Sequence, residues 1–232
     1  MKLIKNKISV LLSTYNDEST IQESIQSILN QTYDNFELLI NIDGSSDSTK
    51  KKISEFSDKR IIVFNSEKNR GLTKSLNFLT EHSTGEYIAR QDADDASIEN
   101  RFEYQINEFK SNKKLDFVTS RAVVKNSNYL IPKYRHLLPH RFAINFFNPF
   151  IHGTLMIKKL SFETIGRYDE NFKYAQDYKL FKDALNKGCK FKTISKPLYI
   201  LNTTNNISSK HKDEQKYYSN CVKQNKIPML KN

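Results

Sequence analysis

The chain has 232 residues, of which 38% are hydrophobic and 12% aromatic, and a formal net charge of +11. This length and apolar content exclude an intrinsically disordered chain and leave room for one domain, or two small ones, with a real core. Its two cysteines, Cys189 and Cys221, are too few and too far apart for a disulfide framework or a cysteine zinc site, and no stretch approaches the roughly 20 apolar residues of a membrane span.

The charge is uneven. Residues 1–117 carry net −3 and residues 118–232 carry net +14. The basic half suits an anionic lipid surface or a phosphorylated substrate. Nucleic acid is disfavoured, because no interleaved Arg/aromatic stripe and no known nucleic-acid motif is present.

The N-terminal apolar run, residues 8–12, is broken by Ser9 and too short for a signal-peptide core, and no small-residue cleavage site follows. It reads as a buried first strand over 8–13. Asp17 or Ser19 is placed to cap a helix whose apolar face is Ile21, Ile25, Ile28 and Leu29. A second strand is predicted over 36–42, a short helix reaching Phe56, and a third strand over 60–64. Leu72, Leu76 and Leu79 mark another helix, 86–91 a fourth strand, and 98–110 a helix with Phe102, Ile106 and Phe109 on one face.

Strand–helix alternation at this spacing predicts an α/β fold with a mainly parallel sheet covered by helices on both faces. Ligands of such sheets bind beyond the carboxyl ends of the strands. Three polar clusters, at 14–18, 43–48 and 92–95, each follow a predicted strand and should share one edge. In the last cluster, alternation along an extended chain points Asp92 and Asp94 the same way, a hard-oxygen pair suited to Mg²⁺ or Mn²⁺. A solvated acidic turn is the plain alternative.

The second half is less regular. A strand is predicted over 116–124, a long mixed segment over 125–153, a short strand over 154–157 and a short helix over 159–165. A helix carrying Tyr178, Phe181 and Leu185 follows Asp177, which also reads as a capping residue. Two edge strands, 190–194 and 198–201, precede a basic tail over 213–232 that reads either as a helix or as frayed chain.

Five motifs in order carry a resemblance: Thr14, Tyr15 and Asn16; Asp43 and Gly44; Asn69 to Gly71; Asp92, Ala93, Asp94 and Asp95; and Gln176 with Asp177. Together they resemble the family 2 inverting glycosyltransferases of GT-A fold, over roughly residues 6 to 200. The resemblance implies a Rossmann-like sheet with a smaller acceptor-side part: a single domain over 1–212, with a nucleotide-sugar half over 1–96 and an acceptor half over 97–212. It implies a nucleotide-diphosphate sugar donor, most naturally a UDP-sugar, Mn²⁺ or Mg²⁺, and transfer with inversion to a glycan or lipid-linked acceptor in surface-polysaccharide assembly. The setting it implies is cytoplasmic, peripheral to the inner face of the membrane.

Residue by residue, the resemblance assigns Thr14, Tyr15, Asn16 and Glu18 to the nucleoside side. It assigns Asp43, beside Gly44, to the base, and Asp92 and Ala93 to the sugar nucleotide. Asp94, with Asp92, is assigned to the metal and Asp177 to the catalytic base. His152, Gly153 and Thr154 fall on the acceptor side. Lys74 is a further phosphate candidate, and it and Arg90 also read as surface or supporting residues.

Two departures stand out. Gln176 replaces the Glu that precedes the base in many relatives. Tyr199 is followed by Ile200, Leu201 and Asn202, where relatives carry an Arg and a His; Lys210 and His211 are the nearest substitutes. A nucleotidyltransferase is disfavoured, since the loop after the first strand has no glycine. A degenerate, non-catalytic relative is the remaining alternative.

Overall fold

The computed structural model describes residues 3–134, 137–204 and 211–229. At its centre β1 (Ile4–Thr14) runs parallel to β2 (Phe36–Asp43) on one side and to β4 (Gly85–Asp92) on the other. Outside β2 lies β3 (Ile61–Ser66), also parallel. These strands alternate with α1 (Ile21–Leu29), α2 (Thr49–Ser54) and α3 (Leu72–His82), so each crossover carries a helix back over the sheet.

Beyond β4 the sheet changes character. After β5 (Ala96–Ser97) and α4 (Arg101–Ser111) come β6 (Phe117–Val124), β7 (Leu130–Ile131), α5 (His140–Ala143) and β8 (Met156–Lys158). Then follow α6 (Lys159–Ile165), α7 (Gln176–Asn186), β9 (Phe191–Leu201) and α8 (Lys212–Gln224). The strand order is β3-β2-β1-β4-β8-β6-β9-β5, with β7 against β6. β8 is antiparallel to both β4 and β6, and so joins two parallel regions into one sheet.

Period-2 alternation divides the core. Ile8, Val10 and Leu12 of β1, with Leu38 and Ile40 of β2, pack under α1, α2 and α4. Leu11, Leu39 and Ile88 face the opposite side, where α3, α6, α7 and α8 cover them. All five of the first set are 0% exposed. Burying such a side chain stabilises the fold by about 1.5–3 kcal/mol, so this alternation fixes which face each helix covers.

The structure amends several sequence expectations. β9 is one strand lying between β6 and β5, not two edge strands. Pro197 interrupts the apolar run, and the pairing with β6 shifts register beside it. α4 begins at Arg101, three residues later than expected. Of the two readings of the basic segment from 213 on, helix or frayed tail, the structure has the helix: α8 buries Tyr218, Cys221 and Val222. Buried Lys182 donates to the carbonyls of Val222 (2.8 Å) and Lys223 (3.0 Å), closing that helix end. Among the described residues no helix is long and apolar enough to cross a membrane.

Candidate active site

The three polar clusters do meet. In register, Thr14 pairs with Ile42 and Ser13 with Asp92, so the ends of β1, β2 and β4 stand side by side. The loops beyond them bind one another. Asn16, in a left-handed conformation (φ 56°), accepts at Oδ1 from the Ser46 N–H at 2.8 Å. Glu18 accepts from the Ser48 N–H at 2.9 Å and donates its own N–H to Asp47 at 3.1 Å.

Neither Asp17 nor Ser19 caps α1. The helix starts after Thr20 with no side-chain cap. The Asp17 carboxylate instead accepts from the Thr14 hydroxyl (2.7 Å) and the Tyr15 N–H (3.0 Å), which shapes the loop itself. Burial raises the Asp17 pKa against those bonds. Tyr15 is left 50% exposed at the rim, an aromatic face open to a ligand.

Asp43 is buried, and its two oxygens accept from the N–H groups of Arg70 (3.0 Å) and Gly71 (2.9 Å). The following residue has to be glycine. Gly44 has φ +75°, and a Cβ there would lie 2.5 Å from the Asn69 nitrogen. Lys74 is exposed in the first turn of α3.

β4 ends at Asp92, and residues 93 and 94 form a turn closed by the Asp95 N–H on the Asp92 carbonyl at 3.3 Å. Strand alternation therefore does not extend to Asp94; the turn places it instead. The Asp92 and Asp94 carboxylates are still close enough to interact: burial, then the charge of Asp92, pushes Asp94 up to about 6. Two crowded carboxylates, one of them raised by burial and then by the other's charge, form a donor set that a hard cation would relieve. Among the described residues no three acidic, His or Cys side chains converge to hold an ion unaided. A cation here would draw its remaining ligands from water and diphosphate. Asp92 is itself held by buried Arg90, whose guanidinium donates at 2.5 Å to its Oδ1 and at 3.0 Å to the Leu11 carbonyl. Arg90 is thus an interior support and not a surface residue.

Below this turn lies a polar network that sequence patterning missed. Gln91 is fully buried and donates to the carbonyls of Asp92 (3.1 Å) and Asp95 (3.0 Å) and to the Ser24 hydroxyl (3.0 Å). Arg101, also fully buried, donates to Ser97 (2.9 Å) and to the Arg90 carbonyl (3.0 Å), and burial lowers its pKa to about 10. The Tyr199 hydroxyl accepts the Asp92 N–H at 3.1 Å, and Asp95 accepts the Asn202 N–H at 2.6 Å. Burial and its acidic neighbours raise Asp95 well above the usual carboxylate range. The one sequence-level signal was polar residues at inward positions of an apolar strand and helix.

Asp177 reaches the same edge from the second half of the chain. α7 starts after Ala175, held at φ 53°, with no side-chain cap, so Asp177 lies in the first turn and does not cap it. Its Oδ2 accepts from the Asn148 amide at 2.8 Å. Asn148 comes from the long 125–153 segment, where no periodicity marked it. His152 opens a 3-10 turn over His152–Thr154, and its Nε2 is 2.7 Å from the Tyr168 hydroxyl. Burial, then Arg90, lowers the His152 pKa, while Asp177 and Asp92 oppose that shift. Gly153 and Thr154 are buried beneath it. A Cβ on Gly153 would lie 2.5 Å from the Tyr199 oxygen, and the Thr154 hydroxyl accepts from the Ser120 N–H at 3.1 Å.

Residues 9–180 match the model of glycosyl transferase family 2. The chain belongs to that family. It is 36% identical over 138 residues to the Escherichia coli UDP-Glc:alpha-D-GlcNAc-diphosphoundecaprenol beta-1,3-glucosyltransferase WfgD, covering 60% of this chain and 53% of that protein. It is 31% identical over 230 residues to an uncharacterized glycosyltransferase of Methanocaldococcus jannaschii, covering 93% and 77% respectively. The chain spans only 57% and 61% of two further bacterial relatives. Among solved structures, TarS of Staphylococcus aureus in complex with UDP superposes with a TM-score of 0.75 at 22% identity, covering 94% of this chain and 64% of that one. That likeness establishes the GT-A fold, a mainly parallel sheet flanked by helices.

Proposed function

We propose that this family 2 chain transfers a sugar from a nucleotide-diphosphate sugar, a UDP-sugar, to a hydroxyl of a glycan or lipid-linked acceptor, with inversion. The observation that carries this reading is the meeting of two carboxylate systems at one sheet edge. The Asp92–Asp94 turn closes the nucleotide side, and Asp177 on α7, held by Asn148, shares with Asp92 an electrostatic influence on His152 and buried Tyr168.

Inversion asks for a base on the face of the anomeric carbon opposite the leaving diphosphate. A carboxylate within reach of the acceptor hydroxyl takes its proton as attack proceeds. Asp177 fills that role, and Asn148 orients it by fixing one carboxylate oxygen. Tyr15, Asn16, Glu18 and Asp43 form the nucleoside side, with Thr14, Gly44 and Ala93 shaping the backbone around it. Lys74, exposed in the first turn of α3 three residues after Gly71, is the phosphate candidate on this side. Asp94 and Asp92 would hold Mn²⁺ or Mg²⁺, which when bound offsets charge on the departing diphosphate. His152, lowered in pKa by burial and tied to Tyr168, borders the acceptor side.

Two names support the substrate class without extending to this chain by themselves: WfgD uses UDP-Glc with a diphosphoundecaprenol-linked acceptor, and TarS is seen with UDP and UDP-GlcNAc. Surface-polysaccharide assembly at the inner face of the cytoplasmic membrane is the setting we assign. The test is a thermal-shift and calorimetric screen of nucleotide sugars with and without Mn²⁺. A metal-dependent response to UDP-sugars is expected; a response indifferent to metal, or confined to another nucleotide, would overturn the donor assignment.

A further inference from the structure

One surface is unlike the rest of the molecule. Six of the fifteen large apolar side chains exposed among the described residues fall within residues 129–146: Tyr129, Tyr134, Leu137, Leu138, Phe142 and Phe146. Phe142 and Phe146 stand 67% and 56% exposed, with ring centroids 5.0 Å apart, and Leu137 is 72% exposed. α5 and the turns after it project these side chains while the opposite face is anchored: Ala143 and Ile144 are buried, and the Ile144 carbonyl accepts from the Tyr178 hydroxyl at 2.7 Å. A folded chain seldom leaves neighbouring phenylalanines on its surface without a use.

Charge identifies what the surface meets. Between Asp116 and Glu163 the sequence contains seven Lys or Arg and no Asp or Glu. Arg141, on α5 between the apolar side chains, is exposed and donates to the carbonyls of Leu185 (3.3 Å) and Cys189 (3.5 Å). That contact brings exposed Lys187 and Lys190 alongside. Exposed apolar side chains on a stretch free of acids in sequence, with Arg141 among them and the acid Asp116 near the Lys190 side, are the composition of an interfacial membrane element. A second copy of the chain fits poorly, because a two-fold contact would set this cationic rim against itself. Leucines add little to sugar stacking, which disfavours a soluble glycan.

We propose that the 137–146 surface docks on an anionic phospholipid bilayer, with Phe142 and Phe146 entering the headgroup region. Asn148, which holds Asp177, follows Phe146 by two residues. Docking here therefore sets the height of the base above the membrane, at the side from which a lipid-borne hydroxyl would arrive. That consequence rests on the proposed transfer to a lipid-linked acceptor; the docking surface itself does not.

The chain has no tryptophan, so Phe146→Trp is a clean reporter. Its emission should shift to the blue and brighten on phosphatidylcholine vesicles containing phosphatidylglycerol. Tyr104→Trp, at an exposed site on α4, should not change. In flotation with the same vesicles, Phe142→Ser/Phe146→Ser should partition about tenfold less than wild type. Both positions are exposed, so the melting temperature should hold. Replacing Lys212, Lys216 and Lys223 of α8 should cost less than the phenylalanine pair. No blue shift at Phe146→Trp, or equal flotation of wild type and the double variant, would overturn the proposal. So would a wild-type dimer that the double variant dissolves without any vesicle binding. UDP calorimetry on the same samples separates the two ideas: vesicle binding without UDP binding would defeat the proposed transfer and uphold the docking surface.

Discussion

The two sides of the cleft are held in different ways. On the proposed nucleotide side each loop is fastened to the next by side-chain oxygens that accept backbone N–H groups: Asn16 from Ser46, Glu18 from Ser48, Asp43 from Arg70 and Gly71. On the proposed acceptor side, among the described residues, the Asp177 carboxylate is held by Asn148 and the His152 ring by Tyr168. The first arrangement fixes a site before its ligand arrives, which lowers the ordering cost of binding. The second fixes one carboxylate and one ring and leaves the rest to the acceptor. A nucleotide is the same group in every turnover, whereas acceptors differ between relatives, so rigidity belongs on the first side.

Substitutions can break this contrast, and the largest effect should come from the base. Asp177→Asn should lower transfer by about 10²–10⁴-fold while leaving UDP affinity intact, as read by steady-state kinetics beside calorimetry. Near-normal turnover would place the base elsewhere. On the opposite side, Asp94→Ala should weaken metal-dependent UDP binding by roughly 100-fold or more, measured as the Mn²⁺-dependent part of the calorimetric signal. If both variants lost UDP binding alike, the two sides would not be separable.

Gly153→Ala tests the layer between them. Its new Cβ would lie 2.5 Å from the fully buried Tyr199 oxygen, and overpacking of this kind costs about 1–3 kcal/mol. The loss should appear in denaturant unfolding before any change in KM for donor. Asn148→Ala should have a smaller effect, about tenfold in kcat with KM for UDP-sugar unchanged, since it removes orientation and not a binding contact.

The smallest effect should be acid sensitivity at the far end of the sheet. Burial raises the Glu37 pKa, but bonds from Lys7, Ser9 and Thr84 outweigh it and leave the carboxyl below its usual value. A depressed folded pKa contributes stability above the unfolded value, and that contribution is lost as pH falls through the folded one. Glu37→Gln should flatten this acid limb in urea titrations without affecting transfer.

The nucleotide side was also the more legible in sequence. Ile8, Val10 and Leu12 alternate with Leu11, and Ile21, Ile25 and Ile28 recur at helical spacing, so period alone placed the strands and helices through β4. Asn148 and Tyr168 lie in irregular chain, where no period points at a side chain. β5 and β7 are two residues each, too short to carry a pattern. Pro197 split β9 into two apparent strands. Tyr199 read as the residue that marks where relatives carry an Arg and a His, yet its ring is interior and its hydroxyl accepts from the Asp92 N–H. Of the substitutes weighed for that Arg and His, Lys210 lies outside the described residues, and His211 precedes α8 with its ring tilted against Tyr174, centroids 5.1 Å apart. Taken alone Asp177 read better as a helix cap, and as a base only through the family resemblance; the helix start after Ala175, with no side-chain cap, removed the first reading.

The layer of Gln91, Arg101, Ser24 and Tyr199 beneath the aspartate turn bears on transplantation. Copying Asp92, Ala93, Asp94 and Asp95 onto the strand end of another α/β scaffold would carry over the charges but not the geometry, because the carbonyls of Asp92 and Asp95 are held from inside by Gln91. The smallest portable unit is therefore a slab drawn from β4, α1, α4 and β9 together, four stretches scattered over more than half the chain. A designer who grafts only the visible motif should expect an acidic loop that wanders.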